Sequence, residues 1–207
     1  LDDPAYVPPV SNGSGRNRKS LRQAARLLDE AGWTVRDGLR RNDRGETLAI
    51  EFLQTSGSAF DRITNPYIKN LKKVGFDARL REVDPAQYAL HIENFDFDIV
   101  VSRKVMSLTP GVELRQYFHS DSANANGSQN FAGVASPVID SLIDTIERST
   151  DRRQLTNAVM ALDRVLRAMQ IWVPQWHKGT HTLAYWDIYG RPAVEPLLSL
   201  GEIDLWW

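Results

Sequence analysis

The sequence predicts an α/β fold, a mostly parallel sheet flanked by helices. Three observations predict it. Between residues 47 and 102 stretches of strand and helix character alternate as strand, helix, strand, helix, strand, an order that implies right-handed crossovers between parallel strands. The run Leu48-Ala49-Ile50-Glu51-Phe52-Leu53 is almost wholly apolar, as a central strand covered on both faces should be. Glycines at positions 32 and 75 follow helical apolar stripes, where a helix stops by turning its next residue left-handed.

Each element follows in order. Residues 1–17 carry Pro4, Pro8, Pro9, Gly13 and Gly15 and show no period, so they read as loop. Leu21, Ala24, Ala25, Leu28 and Ala31 recur at three and four residues and predict a helix, with Asn17 as its N-cap and Gly32 as its stop. Asp37-Gly38 and Asp43-Arg44-Gly45 read as turns of a small hairpin. A second helix spans residues 59–74, with Phe60, Ile63, Tyr67, Ile68 and Leu71 inward and Pro66 to be accommodated within it. Residues 76–83 alternate as a strand, Asp84-Pro85 starts a short helix, and residues 97–102 form a third parallel strand.

Residues 103–136 break the pattern with Pro110, Gly111, Gly127, Gly133 and a polar run. A long irregular stretch in a compact domain more often carries function than not. Two helices follow. Ser136-Pro137 opens one, with Val138, Leu142, Ile143 and Ile146 inward; Thr150 or Asp151 caps the other, with Leu155, Val159, Leu162, Leu166 and Met169 inward. From Ile171 the chain reads as short strands and loops, and it holds five of the 6 tryptophans.

Composition narrows the function. The chain has 207 residues, 42% hydrophobic and 25% charged, enough for one large or two small domains. Lys plus Arg is 25 and Asp plus Glu 26, a net charge of −1 that argues against neutralising nucleic-acid phosphates and offers no polybasic membrane anchor. Cysteine is absent, which excludes disulfides, thiol catalysis and Cys-based metal sites. No run of 18 apolar residues is present to form a membrane-crossing helix. The chain opens Leu1-Asp2-Asp3-Pro4, without Met or a basic leader. The expectation is the interior of a longer protein with any targeting signal upstream.

Reactive constellations are sparse. There is no nucleophile elbow and no phosphate-cradling glycine loop. His177 and His181 have the i,i+4 spacing of helical zinc ligands, but Gly179 lies between them and no further ligand completes a shell. Asp96 and Asp98 share one face at strand spacing. Paired carboxylates can exchange protons, though caps and ion pairs use the same residues. The tryptophans suit a cleft for amphiphilic ligands or packing under a sheet edge.

The ordered landmarks resemble a family. Ala24-Ala25-Arg26-Leu27-Leu28-Asp29-Glu30-Ala31-Gly32-Trp33 resembles the A-x-x-L-L-x-E-A-G-[WY] helix of extracellular solute-binding proteins of the oligopeptide/dipeptide class (family 5), receptors of ABC importers. Leu71-Lys72-Lys73-Val74-Gly75-Phe76, Phe97-Asp98-Ile99, Ser136-Pro137-Val138-Ile139-Asp140-Ser141-Leu142-Ile143, Asp151-Arg152-Arg153-Gln154-Leu155 and Ile171-Trp172-Val173-Pro174 are similar to its later landmarks. Ser107-Leu108-Thr109-Pro110-Gly111-Val112-Glu113-Leu114-Arg115 and Gly127-Ser128-Gln129-Asn130-Phe131-Ala132-Gly133 look closest to the microcin C/oligopeptide receptor subgroup.

The resemblance implies the C-terminal lobe of a two-lobed periplasmic binding protein (type II). Residues 1–17 would be a hinge or N-lobe segment, 18–190 the α/β ligand-binding lobe and 191–207 a return toward the hinge. It implies binding rather than catalysis, no cofactor and no metal. The implied partners are a peptide or peptide-like ligand, an ABC permease of the inner membrane and the missing N-terminal lobe, with no nucleic acid. The implied location is periplasmic or extracellular. A peptide-acting hydrolase and a sensory or interaction module on the same fold are the rivals. Where many relatives place an amine-anchoring Asp, this chain reads Arg103-Lys104-Val105-Met106-Ser107-Leu108. Either Glu113 replaces that anchor or the ligand exposes no amine there. Open α/β sheets bind ligands beyond the carboxyl ends of their strands. The expected contact set is therefore Ser107, Thr109, Glu113, Arg115, Asn130 and Phe131, with Trp172 and Trp176 as stacking candidates and Arg115 suited to grip a carboxylate or phosphate in two-pronged fashion.

Overall fold

The structure, a computed structural model, describes residues 17–104, 106 and 109–175, together with residues 7, 10, 13–15, 184, 186, 188 and 190. The chain divides into two units, Leu1–Trp172 and Val173–Trp207. The first contains every helix and strand of the described residues. In the second, the described residues 173–175, 184, 186 and 190 have neither helix nor strand, and Ile188 lies in a turn. The short strands expected after Ile171 thus lie mostly outside the described residues, as do His177, His181, Trp206 and Trp207.

Helix α1 (Arg18–Glu30) starts at Asn17, whose side chain makes no capping bond, and Gly32 at φ +85° carries the chain out of it. Strands β1 (Thr34–Arg36) and β2 (Leu39–Arg41) form the expected hairpin. Asp37 and Gly38 both have positive φ, the two-residue turn that follows the right-handed twist of paired strands. Arg40, 2% exposed, joins the hairpin to its surroundings. Its guanidinium donates to the carbonyls of Ala25, Trp33 and Val74 and to Asp29 Oδ1 at 2.6 Å. One cation thereby supplies a donor to the Trp33 and Val74 carbonyls, each just past a helix, and an additional one to Ala25 within α1.

The main sheet has three parallel strands in the order β4-β3-β5, as the alternation predicts. β3 (Ala49–Thr55) lies between β4 (Asp77–Val83) and β5 (Ile99–Val100). Phe52 and Ala78 on one face pack with Ile68 of α2 (Asp61–Lys73). On the other face Arg81 pairs with Glu51 at 3.3 Å and meets His91 of α3 (Pro85–Glu93) at 3.0 Å. Asp84 caps α3 through the amides of Ala86 and Gln87, with Pro85 in the first turn.

Two expectations change here, and a third is met. β5 is two residues long rather than six, because Asp98 uses its carboxylate, not its backbone, to accept from Glu51 N at 2.8 Å where a ladder bond would start. In α2, Thr64 is buried, whereas Tyr67 is exposed and meets Phe52 edge-on at 5.8 Å. Thr64 is the polar inward residue because its hydroxyl donates to the buried Gln54, 3.3 Å away. Pro66 stands on the exposed side of α2, where water can satisfy the carbonyl its ring leaves unpaired.

Beyond β5 the chain reaches α4 (Glu113–Phe118), a 3-10 turn at Ser120–Ser122, α5 (Pro137–Arg148) and α6 (Arg152–Met169). These helices build a second core around Leu114, Phe118, Val134, Ile139, Ile143, Ile146, Ala158 and Leu162. The inward stripe of α5 starts at Ile139 rather than Val138, which is exposed. In α6, Met169 is likewise exposed, because the buried stripe centres on Ala158 and Leu162 and the helix ends beyond it. Asp151 is the α6 cap, accepting from Gln154 N at 2.9 Å.

Candidate functional site

Because the three strands are parallel, their carboxyl ends at Thr55, Val83 and Val100 lie along one edge. The chain leaving β5 runs through residues 101–104 toward α4 and the 127–134 turn, so the segment expected to carry function stands at that edge.

Lys104 is held there between two rings. Its Nζ is 4.4 Å from the Tyr117 ring centroid, 4.6 Å from that of Phe131, and 2.6 Å from the Gln129 carbonyl oxygen, to which it donates. Both ring distances lie within cation–π range. Burial lowers the ammonium from its ordinary range to about 8. The rings continue in both directions. Phe131 stands edge-on to Phe97 at 6.0 Å, and Tyr117, Phe118 and Trp172 follow one another at 6.0 and 5.2 Å. An aromatic run thus extends from just before β5 to just past α6, with one cation set into it.

The expected contact residues divide by what they touch. Ser107 and Trp176 lie outside the described residues. Thr109 and Pro110 border an open concavity of about 270 Å³ whose other wall is α6, from Arg152 to Met160. Glu113 Oε2 accepts from Gly111 N at 3.1 Å, fixing the entry to α4. Phe131 is one wall of the Lys104 cage, and Trp172 stays 46% exposed while stacking on Phe118.

Arg115 and Asn130 are engaged within the fold. The Arg115 guanidinium grips Glu147 through two bonds, Nε to Oε1 at 3.1 Å and an NH2 group to Oε2 at 2.7 Å. It also reaches Asp144 at 2.6 Å and Asp121 at 3.8 Å. The two-pronged grip exists, but its carboxylates belong to α5, and they hold the guanidinium above its ordinary pKa. Asn130 is 1% exposed. Its amide donates to the carbonyls of Val134 (2.8 Å) and His119 (3.2 Å) and to Ser122 Oγ (3.3 Å), and its oxygen accepts from Val134 N at 2.9 Å. Every hydrogen-bonding site of that amide but one lone pair is used, and the result is a rigid 127–134 turn that presents the Gln129 carbonyl and Phe131.

The carboxylates weighed for proton transfer are separately engaged. Asp98 holds Glu51 N, and Asp96 lies 2.7 Å from His91 Nδ1. Among the described residues no group of three or more His, Asp or Glu is placed to hold a metal ion. Lys104 and Tyr117 are the cage members that spacing did not single out. Their signal, a lysine just past an apolar strand, has meaning only once the two rings are folded around it.

Comparison with known proteins gives the kinship. Residues 2–126 match the model of "Bacterial extracellular solute-binding proteins, family 5 Middle". Protein y4wM of Sinorhizobium fredii is 37% identical over 203 residues, covering 98% of this chain and 30% of that protein. The probable peptide-binding protein YejA of Agrobacterium fabrum is 36% identical, covering 98% and 33%. The oligopeptide-binding protein AppA of Bacillus subtilis, solved with a nonapeptide, superposes with TM-score 0.64 at 22% identity over 72% of this chain and 30% of its own. That likeness shows the shared fold. The chain spans about a third of the length of the relatives it matches. With more than half of its residues matched by one family model and its sheet and helices shared with a solved binding protein, the chain belongs to the bacterial extracellular solute-binding proteins of family 5.

Proposed function

We propose that this chain is the C-terminal ligand-binding lobe of the substrate-binding component of an ABC importer, capturing oligopeptides or peptide-like solutes in a cleft closed by a second lobe and delivering them to a membrane permease. The observation that carries the reading is the sheet edge. The carboxyl ends of three parallel strands open onto a shelf of rings, one caged cation and loop backbone, a surface made to hold a ligand. The family and the probable peptide-binding relative YejA support the same reading. Extended peptides present backbone N–H and C=O groups that such a receptor pairs with regardless of side chain. In this reading residues 18–190 form the lobe, with 1–17 and 191–207 leading to the hinge, and the protein works in the periplasm or outside the cell.

The proposed contacts among the described residues are Thr109, Glu113, Phe131 and Trp172; Ser107 and Trp176 remain candidates from the sequence. Arg115 and Asn130 act from behind it by holding α4 and the 127–134 turn in place. The hydrolase alternative loses its best pair, since Asp96 and Asp98 each serve a different structural partner.

Native mass spectrometry of the full-length receptor, purified without denaturation, tests the proposal. Peptides of defined mass should accompany the protein and be displaced by added peptide. Carriage of saccharides or metal chelates alone would refute the peptide assignment. A micromolar ligand is held by about 8 kcal/mol. With half of that from each lobe, this chain alone should bind the same peptides only at millimolar concentration, and calorimetry showing micromolar binding would contradict the two-lobe enclosure.

A further inference from the structure

The caged lysine has a use that its packing leaves open. Arginines of the described residues meet carboxylates, among them Arg40 with Asp29, Arg79 with Asp77, Arg81 with Glu51, Arg115 with Asp144 and Glu147, and Arg167 with Asp163, whereas Arg164 keeps a buried Nε without a hydrogen-bond partner. Lys104 is half-buried, and no described carboxylate pairs with it; a backbone carbonyl and two ring faces are its partners. Taking a cation partly out of water without a counter-ion is unfavourable, and ring quadrupoles offset only part of that. Lys104 is not closed off from solvent as a residue, and its segment leaves the sheet where the strands end.

The rings also restrict what can approach. Tyr117 and Phe131 bound the ammonium on two sides, Gln129 O takes one of its three N–H bonds, and the positive charge itself repels a cationic group. A small planar anion is the complementary partner. It would accept from the remaining N–H bonds and neutralise the charge where water is already thinned.

We infer that Lys104, held in place by Tyr117, Phe131 and the Gln129 carbonyl, forms an acid-recognition subsite whose ammonium receives a ligand carboxylate, so that the receptor prefers peptides carrying a free acid group at this position. The inference rests on the peptide-binding reading above and names the ligand class of that same site. It reverses the electrostatics of a subsite built for a free amine, which Lys104 would repel.

Proton linkage supports it. Burial alone, with no anion present, holds the free Lys104 near 8. A bound carboxylate raises it, so binding takes up a proton and weakens as pH rises through 8. The titratable group shown against it is the Tyr117 phenol ring of α4, and Arg103 precedes it in the chain; Glu113 and Arg115 of the same helix are turned to other partners. Glu113 holds Gly111 N and Arg115 holds the α5 carboxylates. Phe97 and Phe131 carry no proton.

The test uses the full-length receptor, calorimetry, and one tetrapeptide library made in two forms, with carboxyl groups free and with all of them amidated. The free-acid form should bind at least about 10-fold tighter than the amide at pH 7. Its affinity should fall up to about 30-fold between pH 7 and 9.5, following the protonated fraction of a group near 8. The amide form carries the same peptide amino groups, which also titrate near 8, so the pH fall is read as the ratio of acid to amide affinity. Lys104→Met should abolish the preference while leaving amide binding within about threefold, and Lys104→Arg should keep the preference but lose the pH fall. Tyr117→Phe, which keeps the ring and removes the phenol, should keep both. Equal binding of the two forms by the unaltered receptor overturns the inference without any variant. So does a pH fall that disappears in Tyr117→Phe, or an equal loss of both forms in Lys104→Met. If neither form binds at all, the peptide reading falls with it. If the amide binds well and the acid no better, only the acid subsite falls.

Discussion

Replacing Asn130 with aspartate exchanges one NH2 for an oxygen and changes almost nothing in shape, so it isolates what the buried amide does. Asn130 donates to the carbonyls of His119 and Val134 and to Ser122 Oγ, and accepts from Val134 N. The Asn130→Asp variant keeps the accepted bond and turns the donors into an acceptor facing two carbonyl oxygens. Each buried carbonyl left unpaired is worth about 1–3 kcal/mol. The carboxylate, desolvated and beside like partial charges, has its pKa raised in the folded state above the unfolded value of about 3.9. The folded variant then binds more protons than the unfolded one, so its stability relative to the parent falls as pH rises from about 4 toward the folded pKa. The expected loss is about 2 kcal/mol at pH 4, where the protonated acid still donates to one carbonyl, and about 4 kcal/mol at pH 7. At pH 7 that lowers the melting temperature by roughly 8–16 °C for a unit of this size. Urea unfolding followed by circular dichroism at both pH values measures it, with Asn130→Ala as the comparison that should be equally damaging at both. If Asn130→Asp stays within about 1 kcal/mol of the parent at pH 7, or if its loss ignores pH, the assignment of Asn130 as the clamp of the 127–134 turn is refuted.

Three further outcomes follow from the same geometry. Gly75 has φ +95°, and an added Cβ would stand 2.7 Å from Arg40 Cγ, so Gly75→Ala should destabilise by about 2–4 kcal/mol in chemical unfolding, partly through strain and partly by displacing Arg40. Arg40→Met keeps the stem only as far as the Nε position, leaves the carbonyls of Trp33 and Val74 without this donor, and should lower stability by about 3 kcal/mol or more in the same assay. For Asp140, burial acts to raise the pKa, but bonds from the Ser120 side chain and amide and the charges of His119 and Arg115 prevail and hold it below its ordinary value. Its contribution is present above the unfolded carboxylate range and is lost as pH falls through the lower folded value. Asp140→Asn should therefore weaken the protein at pH 7 and match the parent near pH 2, as read by thermal melts across that range.

The elements that local chemistry dictates were legible. Asp84-Pro85 can hardly be anything but a helix start, and the structure puts Asp84 on the amides of Ala86 and Gln87. Asp37-Gly38 is a hairpin turn in the sequence and in space. The parallel order could be argued from alternation alone. What failed was decided by distant partners. The inward face of α2 includes Thr64 because Gln54 of β3 is there to accept its hydroxyl, and no helical period reports that. β5 shrank because Asp98 reaches back 47 positions in sequence to Glu51, so a run that reads as six strand residues pairs through two.

The candidate site was harder to read for the same reason, sharpened by chemistry. An Arg that clamps a ligand acid and an Arg that clamps a helix need the same side chain in the same irregular segment. Arg115 was legible as a two-pronged carboxylate binder, but its carboxylates come from Glu147, 32 positions on, and Asp144. Asn130 poses the same ambiguity, resolved by its burial. Lys104 stood in the opposite position. A lysine in a loop ordinarily means a solvated charge, and only the convergence of Tyr117 from α4 and Phe131 from the clamped turn desolvates it. The residues that point at a ligand are thus distinguished less by type than by which of their bonding needs the fold leaves unmet. By that criterion Arg115 and Asn130 belong to the frame, and Lys104, caged yet without a described counter-ion, is the residue we propose for the ligand.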